Sequence, residues 1–146
     1  MTKALRHYAD RGVFRGFRET SARGQVDYHF TWLTRRTMHA RADPRRMVLA
    51  FPALLPHATP TLAAEVKAIV SERSTTAVPE HKRIDARRAR LAASVRKRDL
   101  SLTITIRGGN DEYAVKRSLN LVNDIFVMLR ERHPEYLIEH FGVSME

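Results

Sequence analysis

The side chains most able to do chemistry in this sequence are cations crowded between positions 82 and 98. Eight lysines and arginines lie in these seventeen positions, with Asp85 as the single carboxylate. Such a cluster is typical of surfaces that neutralise phosphate groups. Together with arginines on other predicted strands, the candidate anion-binding residues are Arg41, Arg45, Arg46, Lys82, Arg83, Arg87, Arg88, Arg90, Arg96, Lys97, Arg98 and Arg107.

A second interpretation of the cluster needs no ligand. Cations on edge strands and hairpin turns also prevent sheets from joining edge to edge. The sequence lacks the aromatic RNP motif, the helix-turn-helix and the zinc ligands that mark specific nucleic-acid-binding folds. An anionic partner, nucleic acid or another polyanion, is therefore an expectation that rests on charge placement alone.

The remaining polar residues give no signature of a metal or cofactor site. None of the seven histidines stands in an HxH or HExxH arrangement. Glu135, Glu139 and His140 offer three metal ligands close together on a short helix, but a solvated helix face is the preferred interpretation. Gly108-Gly109 precedes a predicted helix but lacks the Walker lysine, and no GxSxG nucleophile motif is present. We therefore predict neither a metal nor a cofactor, and no recognisable catalytic residue.

The composition predicts one globular domain over residues 1–146. The chain is 43% hydrophobic and 29% charged, and a chain of this length buries roughly two-thirds of its unfolded surface. The absence of cysteine excludes disulfides and thiolate chemistry. The first residues carry charges throughout, and no stretch approaches the roughly 18 apolar residues of a membrane span, so we expect a cytoplasmic protein.

The formal charge of +10 is unevenly distributed. Residues 1–50 hold eleven basic and four acidic side chains, residues 51–100 hold ten and five, and residues 101–146 hold five and seven. The excess is therefore +7, then +5, then −2 along the chain. We expect the C-terminal third to lie outside any basic surface.

Period-two alternation predicts the strands. A weak strand over residues 12–19 and a clear one over residues 25–33 form a hairpin, with the aromatic row of the second strand facing the core. Thr37 to Ala42 form a third strand. Met47 to Phe51 form another, which ends or bulges at Pro52. A second hairpin covers residues 87–95 and 100–107, although its first half also suits a helix.

Capping signals and apolar spacing predict the helices. Thr59 caps a helix that runs to about Arg73. Residues 74–85 form a long connection. Asn110 then begins a helix that extends to about Arg132, and a short final helix ends at Gly142.

These elements, in the order β-β-β-α-β-β-α with a short final helix, predict an α+β fold. An antiparallel sheet of about five strands is packed on one face by two helices and is polar on the other. This order resembles that of small secretion-chaperone-like domains, which also place a helix between two antiparallel strand groups. The resemblance covers topology only and implies no function, because those proteins are typically acidic.

Five consecutive apolar residues make the last turns of the long helix apolar nearly all round, so it must be covered on several sides. Burial within the monomer is the first interpretation, and a symmetric homodimer through this face is the alternative. The run consists of Ile125, Phe126, Val127, Met128 and Leu129.

The leading hypothesis is a non-enzymatic binding module that engages an anionic partner such as nucleic acid through the basic hairpin and the polar sheet face. A protein–protein adaptor or chaperone-like homodimer that uses the C-terminal helix is one alternative. A small enzyme with a site among His29, His39 and nearby carboxylates is another, and it requires that the fold bring these groups together.

Overall fold

The computed structural model describes residues 1–142 and confirms the predicted α+β class. Residues 143–146 of the predicted domain lie outside the described residues. The helices are α1 (Thr2–Asp10), α2 (Pro60–Glu72), α3 (Asp111–Arg132) and α4 (Pro134–Phe141). The strands are β1 (Arg15–Ala22), β2 (Gln25–Thr31), β3 (Thr37–Asp43), β4 (Val48–Leu55), β5 (Ala89–Arg96) and β6 (Asp99–Ile106).

The six strands form one antiparallel sheet in the order β1-β2-β3-β4-β6-β5. Strands β1 to β4 follow one another as hairpins, and the chain then crosses through α2. The second hairpin joins the sheet through β6, so β1 and β5 are the two edges.

One face of the sheet is covered by the helices and carries the core. The aromatic row of β2 faces this core as predicted, with Tyr28 and Phe30 fully buried beside Phe51 of β4. Strand β6 contributes an unbroken buried row from Leu100 to Ile106 at every second position. The buried apolar residues of all four helices belong to the same core cluster.

The alternate strand side chains form a surface that we call the open face. They are exposed or half-buried, and within residues 1–142 no helix packs over them. One row crosses the whole sheet as Thr20, Asp27, Arg41, Ala50, Thr103 and Ala92. The next row includes Asp43, Val48, Thr105 and Arg90.

The N-terminal helix α1 was not predicted from the sequence. Leu5 is its one buried residue, and Met1, Ala4, Tyr8 and Ala9 pack beside the core. The helical spacing of apolar residues is therefore present in the sequence, although the helix spans only nine residues. Polar contacts add to this packing, because Arg6 pairs with Glu19 of β1 and the Thr2 hydroxyl bonds to that of Tyr28.

Strand β4 continues to Leu55, whereas the prediction ended it at Phe51. Its pairing with β6 is irregular between these two residues, which is the predicted bulge at Pro52. Ala53 adopts a φ of 49° there, and its N–H donates to Ser101 Oγ at 2.9 Å. The strand resumes pairing beyond the bulge because these contacts satisfy the displaced backbone.

The predicted helix boundaries are confirmed, with one difference in capping. Thr59 Oγ1 accepts a hydrogen bond from Leu62 N at 3.1 Å, and Gly142 ends α4 with a φ of 62°. Asn110 occupies the N-cap of α3 but its side chain does not cap the helix. Its Nδ2 donates to Arg107 O at 2.5 Å instead.

A buried ion pair joins the end of α2 to the middle of α3. Arg73 is only 5% exposed, and its Nη2 donates to Asp124 Oδ2 at 2.6 Å. Lys82 Nζ lies 3.3 Å from the same oxygen. Burial alone would raise the pKa of Asp124, but the hydrogen bonds and charges of Arg73 and Lys82 outweigh burial and lower it. Asp124 is therefore ionised at neutral pH and compensates a buried guanidinium.

Replacing Asp124→Asn leaves the buried charge of Arg73 without its counter-ion. We expect the free energy of unfolding at pH 7, measured by urea denaturation, to fall by about 2 to 4 kcal/mol. The difference in the free energy of unfolding between the variant and the wild type should vanish in acid, because the pKa of Asp124 is lowered in the folded state. The stabilisation is present above the ordinary value of 3.8 and is lost as the pH falls through the folded pKa.

The double change Arg73→Met with Asp124→Asn should recover part of this loss, since it removes the unpaired cation. Glu131→Gln, an exposed site on the same helix, serves as the control and should change little. An Asp124→Asn protein as stable as the control would contradict the assigned role of the pair.

Candidate anion-binding face

Six arginines gather at one end of the sheet, which we call the arginine end. The β1–β2 and β3–β4 turns lie there together with the start of β5 and the end of β6, because Asp43, Val48, Thr105 and Arg90 are neighbours in the register. Within residues 1–142 these arginines make one ion pair, between Arg46 and Asp43 at 3.8 Å. The six are Arg23, Arg45, Arg46, Arg88, Arg90 and Arg107.

Arg88 is positioned by contacts within the protein. Its guanidinium carbon lies 3.7 Å from the centre of the Tyr113 ring, and its Nε donates to Asn110 Oδ1 at 3.0 Å. Tyr113 is itself fixed, because its hydroxyl donates to Arg83 O at 3.2 Å and accepts from Asp85 N at 2.9 Å. An arginine restrained in this way loses less side-chain entropy when it binds an anion.

The structure separates the predicted cations into three groups. Those on the open face or at the arginine end are Arg41, Arg45, Arg46, Arg88, Arg90 and Arg107. A second group, in the β5–β6 turn at the opposite end of the sheet, is Arg96, Lys97 and Arg98.

The third group lies in the connection between α2 and β5, where each cation has a partner within the protein, although Arg87 is exposed. Lys82 pairs with Asp124, Arg83 donates to Val78 O at 3.0 Å, and Arg87 lies 3.4 Å from Asp85. The twelve predicted residues therefore do not form one patch.

Arg23 joins the arginine end although it was not among the predicted residues. In the sequence it lies between two predicted strands with no cation adjacent to it, so it belonged to no predicted cluster. In the fold, the β1–β2 turn lies beside the β3–β4 turn, and the Arg45 guanidinium lies next to Gly24. Strand order, which the sequence does not contain, brings these residues together.

The β5–β6 turn holds two cations in an unfavourable backbone conformation. Lys97 has a φ of 51° and Arg98 a φ of 68°, between the paired residues Arg96 and Asp99. Two-residue hairpin turns with positive φ at both positions favour Asn-Gly. The turn therefore carries charge at positions where other residues would fold more stably.

Two histidines and a carboxylate that lie apart in the sequence meet on the open face. His29 and His39 stack with ring centres 4.6 Å apart and planes 1° from parallel. Asp27 Oδ1 is 2.6 Å from His39 Nε2 and accepts from Arg41 Nε at 2.8 Å. Burial alone would raise the pKa of Asp27, but hydrogen bonds from His39 and Arg41 outweigh it and lower the pKa. The fold thus gathers the groups that the enzyme hypothesis required.

The predicted interface of the long helix is mostly inside the monomer. Ile125 and Leu129 are fully buried, and Phe126 and Met128 are nearly so. Val127 is 39% exposed. Four of the five residues are therefore unavailable to a second copy in this fold. The homodimer stays a prediction, and this apolar segment does not support it.

The polar residues of α4 do not form a ligand set. Glu139 is 76% exposed, and the His140 ring packs against His57 and Tyr136. Within residues 1–142, no group of three or more potential ligands among His, Cys, Asp and Glu is placed to hold a metal ion.

The chain matches no known protein-family model, and comparisons with curated proteins and with solved structures gave no significant match. In the part of the chain that the structure describes, no helix combines the length and apolar character needed to cross a membrane.

The conformation of the β5–β6 turn generates a stability prediction. The double change Lys97→Asn with Arg98→Gly suits positive φ, so we expect the free energy of unfolding to rise by about 1 to 2 kcal/mol. The matched control is Lys97→Ala with Arg98→Ala, which removes the same charges without relieving the backbone. Equal stability of the two variants in chemical denaturation would contradict a strained turn.

Proposed function

We propose that this protein is a non-enzymatic module that binds the phosphate backbone of nucleic acid through the open face and the arginine end. The observation that carries the proposal is the combination of an uncovered sheet face with six arginines along one end of it. Flat sheets with uncovered faces are used by several nucleic-acid-binding folds. Arginine is suited to phosphate because its planar fork of donors matches the phosphate oxygens.

The charge of this region supports an anionic ligand. Asp27 and Asp43, the carboxylates on the two rows of the open face, are both engaged with cations of the same face. Five of the six arginines at the arginine end lack a carboxylate partner within residues 1–142. The positive charge of this surface is therefore largely uncompensated, which favours long-range attraction of a polyanion.

The aromatic residues favour contact with phosphates over contact with bases. Tyr28, Phe30 and Phe51 of the central strands all face the core. Proteins that read single strands stack bases on exposed aromatic rings, and within residues 1–142 the rows of the open face offer only the imidazoles of His29 and His39. We therefore expect binding with little preference for base sequence and a steep dependence on salt.

Neutralising the arginine end should weaken binding without unfolding the protein. In the variant Arg45→Gln, Arg46→Gln and Arg90→Gln, all three sites are exposed. We expect at least a tenfold loss of affinity for a labelled oligonucleotide at low salt, because each phosphate contact contributes through counter-ion release. The slope of log affinity against log salt should flatten by about two for single strands. Fluorescence anisotropy measures both quantities.

The matched control removes three cations from the helix layer, with Lys116→Gln, Arg130→Gln and Arg132→Gln. It has the same net charge as the arginine-end variant and should bind nearly as the wild type does. The proposal fails if the wild type does not bind at about 50 mM salt, or if both variants lose affinity equally, since a uniform loss reflects net charge and no particular surface.

A further inference from the structure

One cluster on the open face has hydrogen-bonding groups without a partner within residues 1–142. Asp27 accepts through one oxygen from His39 and from Nε of Arg41, so it fixes both side chains. The terminal nitrogens of Arg41 and both ring nitrogens of His29 have no hydrogen-bond partner within residues 1–142. Arg18 of the edge strand β1 lies opposite His29 in the register and is exposed.

The cluster is cationic at neutral pH and gains charge in acid. Burial lowers the pKa of His29, the charges of His39 and Arg18 lower it further, and Asp27 opposes these effects only in part. His29 is thus neutral at pH 7. The charged groups that face it are Arg18 from β1, Asp27 from its own strand, and His39 and Arg41 from β3, since no helix of residues 1–142 covers the open face.

We infer that Arg18, His29 and Arg41, with Asp27 as the positioning residue, form a subsite for one phosphate group whose binding is linked to protonation of His29. The inference rests on the proposed function, because it identifies one phosphate-contacting point on the same face. A phosphate beside His29 stabilises the imidazolium form. By linkage, the imidazolium form binds phosphate more tightly.

The geometry favours binding over cleavage at this point. Two-histidine acid–base catalysis at a phosphate requires the rings to stand on opposite sides of the reacting group. The parallel rings of His29 and His39 are 4.6 Å apart, which leaves no room for a phosphate between them. The cluster can therefore contact a phosphate from one side only, which suits binding.

The test is an NMR titration of the imidazole Cε1–H signals from pH 5 to 8, with and without inorganic phosphate at constant ionic strength. If phosphate binds the imidazolium form tenfold more tightly than the neutral form, the titration midpoint of His29 rises by about one pH unit. Arg41→Gln and Arg18→Gln should each reduce this rise. His133, whose Nε2 lies 2.7 Å from Glu65 Oε2 in the helix layer, is the internal control and should not respond.

An unmoved midpoint of His29, or one that moves no more than that of His133, overturns the subsite. If oligonucleotides still bind in that case, the proposed function survives without it. If phosphate raises the midpoint of His29 but no oligonucleotide binds, the subsite stands and the proposed function fails. The ligand is then a small phosphorylated molecule. A comparison of 5′-phosphorylated with unphosphorylated oligonucleotides then shows whether the subsite binds a terminal or a backbone phosphate. Either result supports the subsite.

Discussion

All four helices bury their apolar side chains against the same face of the sheet, and this one-sided packing determines where the charges lie. Because side chains alternate along a strand, burying Tyr28, Phe30 and the apolar row of β6 sends every second residue to the other face. A shift of one residue in β2 or β3 would move charged side chains such as Asp27 and Arg41 into the core. The polar open face is thus a direct consequence of how the core is built.

The same constraint explains the separation of roles between the two layers. The C-terminal third supplies most of the helix layer and is net acidic, and its central carboxylate, Asp124, neutralises Arg73 and contacts Lys82. The cationic excess belongs to the strands and turns. Some of those cations serve the fold, as Lys82 and Arg83 do. The remainder, around the β3–β4 turn and the open face, make few contacts with carboxylates and define the surface to which we assign a function.

The sequence was sufficient wherever the signal was local. The alternation in residues 25–33 and 100–107 and the cap at Thr59 fixed strands, buried faces and a helix start that the structure confirms. Helix α1 was missed although Ala4, Leu5, Tyr8 and Ala9 have helical spacing, because the helix spans only nine residues. The histidine cluster is different, because the sequence named His29 and His39 but could not establish that they meet. Asp27, His29 and His39 become a site only through the pairing of β2 with β3, and Arg23 joins Arg45 only through the order of the strands.

The central claim is that an anionic partner meets the sheet side of the molecule. It is tested most directly by chemical footprinting, in which phenylglyoxal modifies accessible arginines and mass spectrometry reads the rate at each position with and without a saturating oligonucleotide. Protection of Arg45, Arg46 and Arg90, with unchanged rates at Arg130 and Arg132 of α3, is the predicted result. Protection centred on Arg130 and Arg132, or an equal change at all five, would contradict the account.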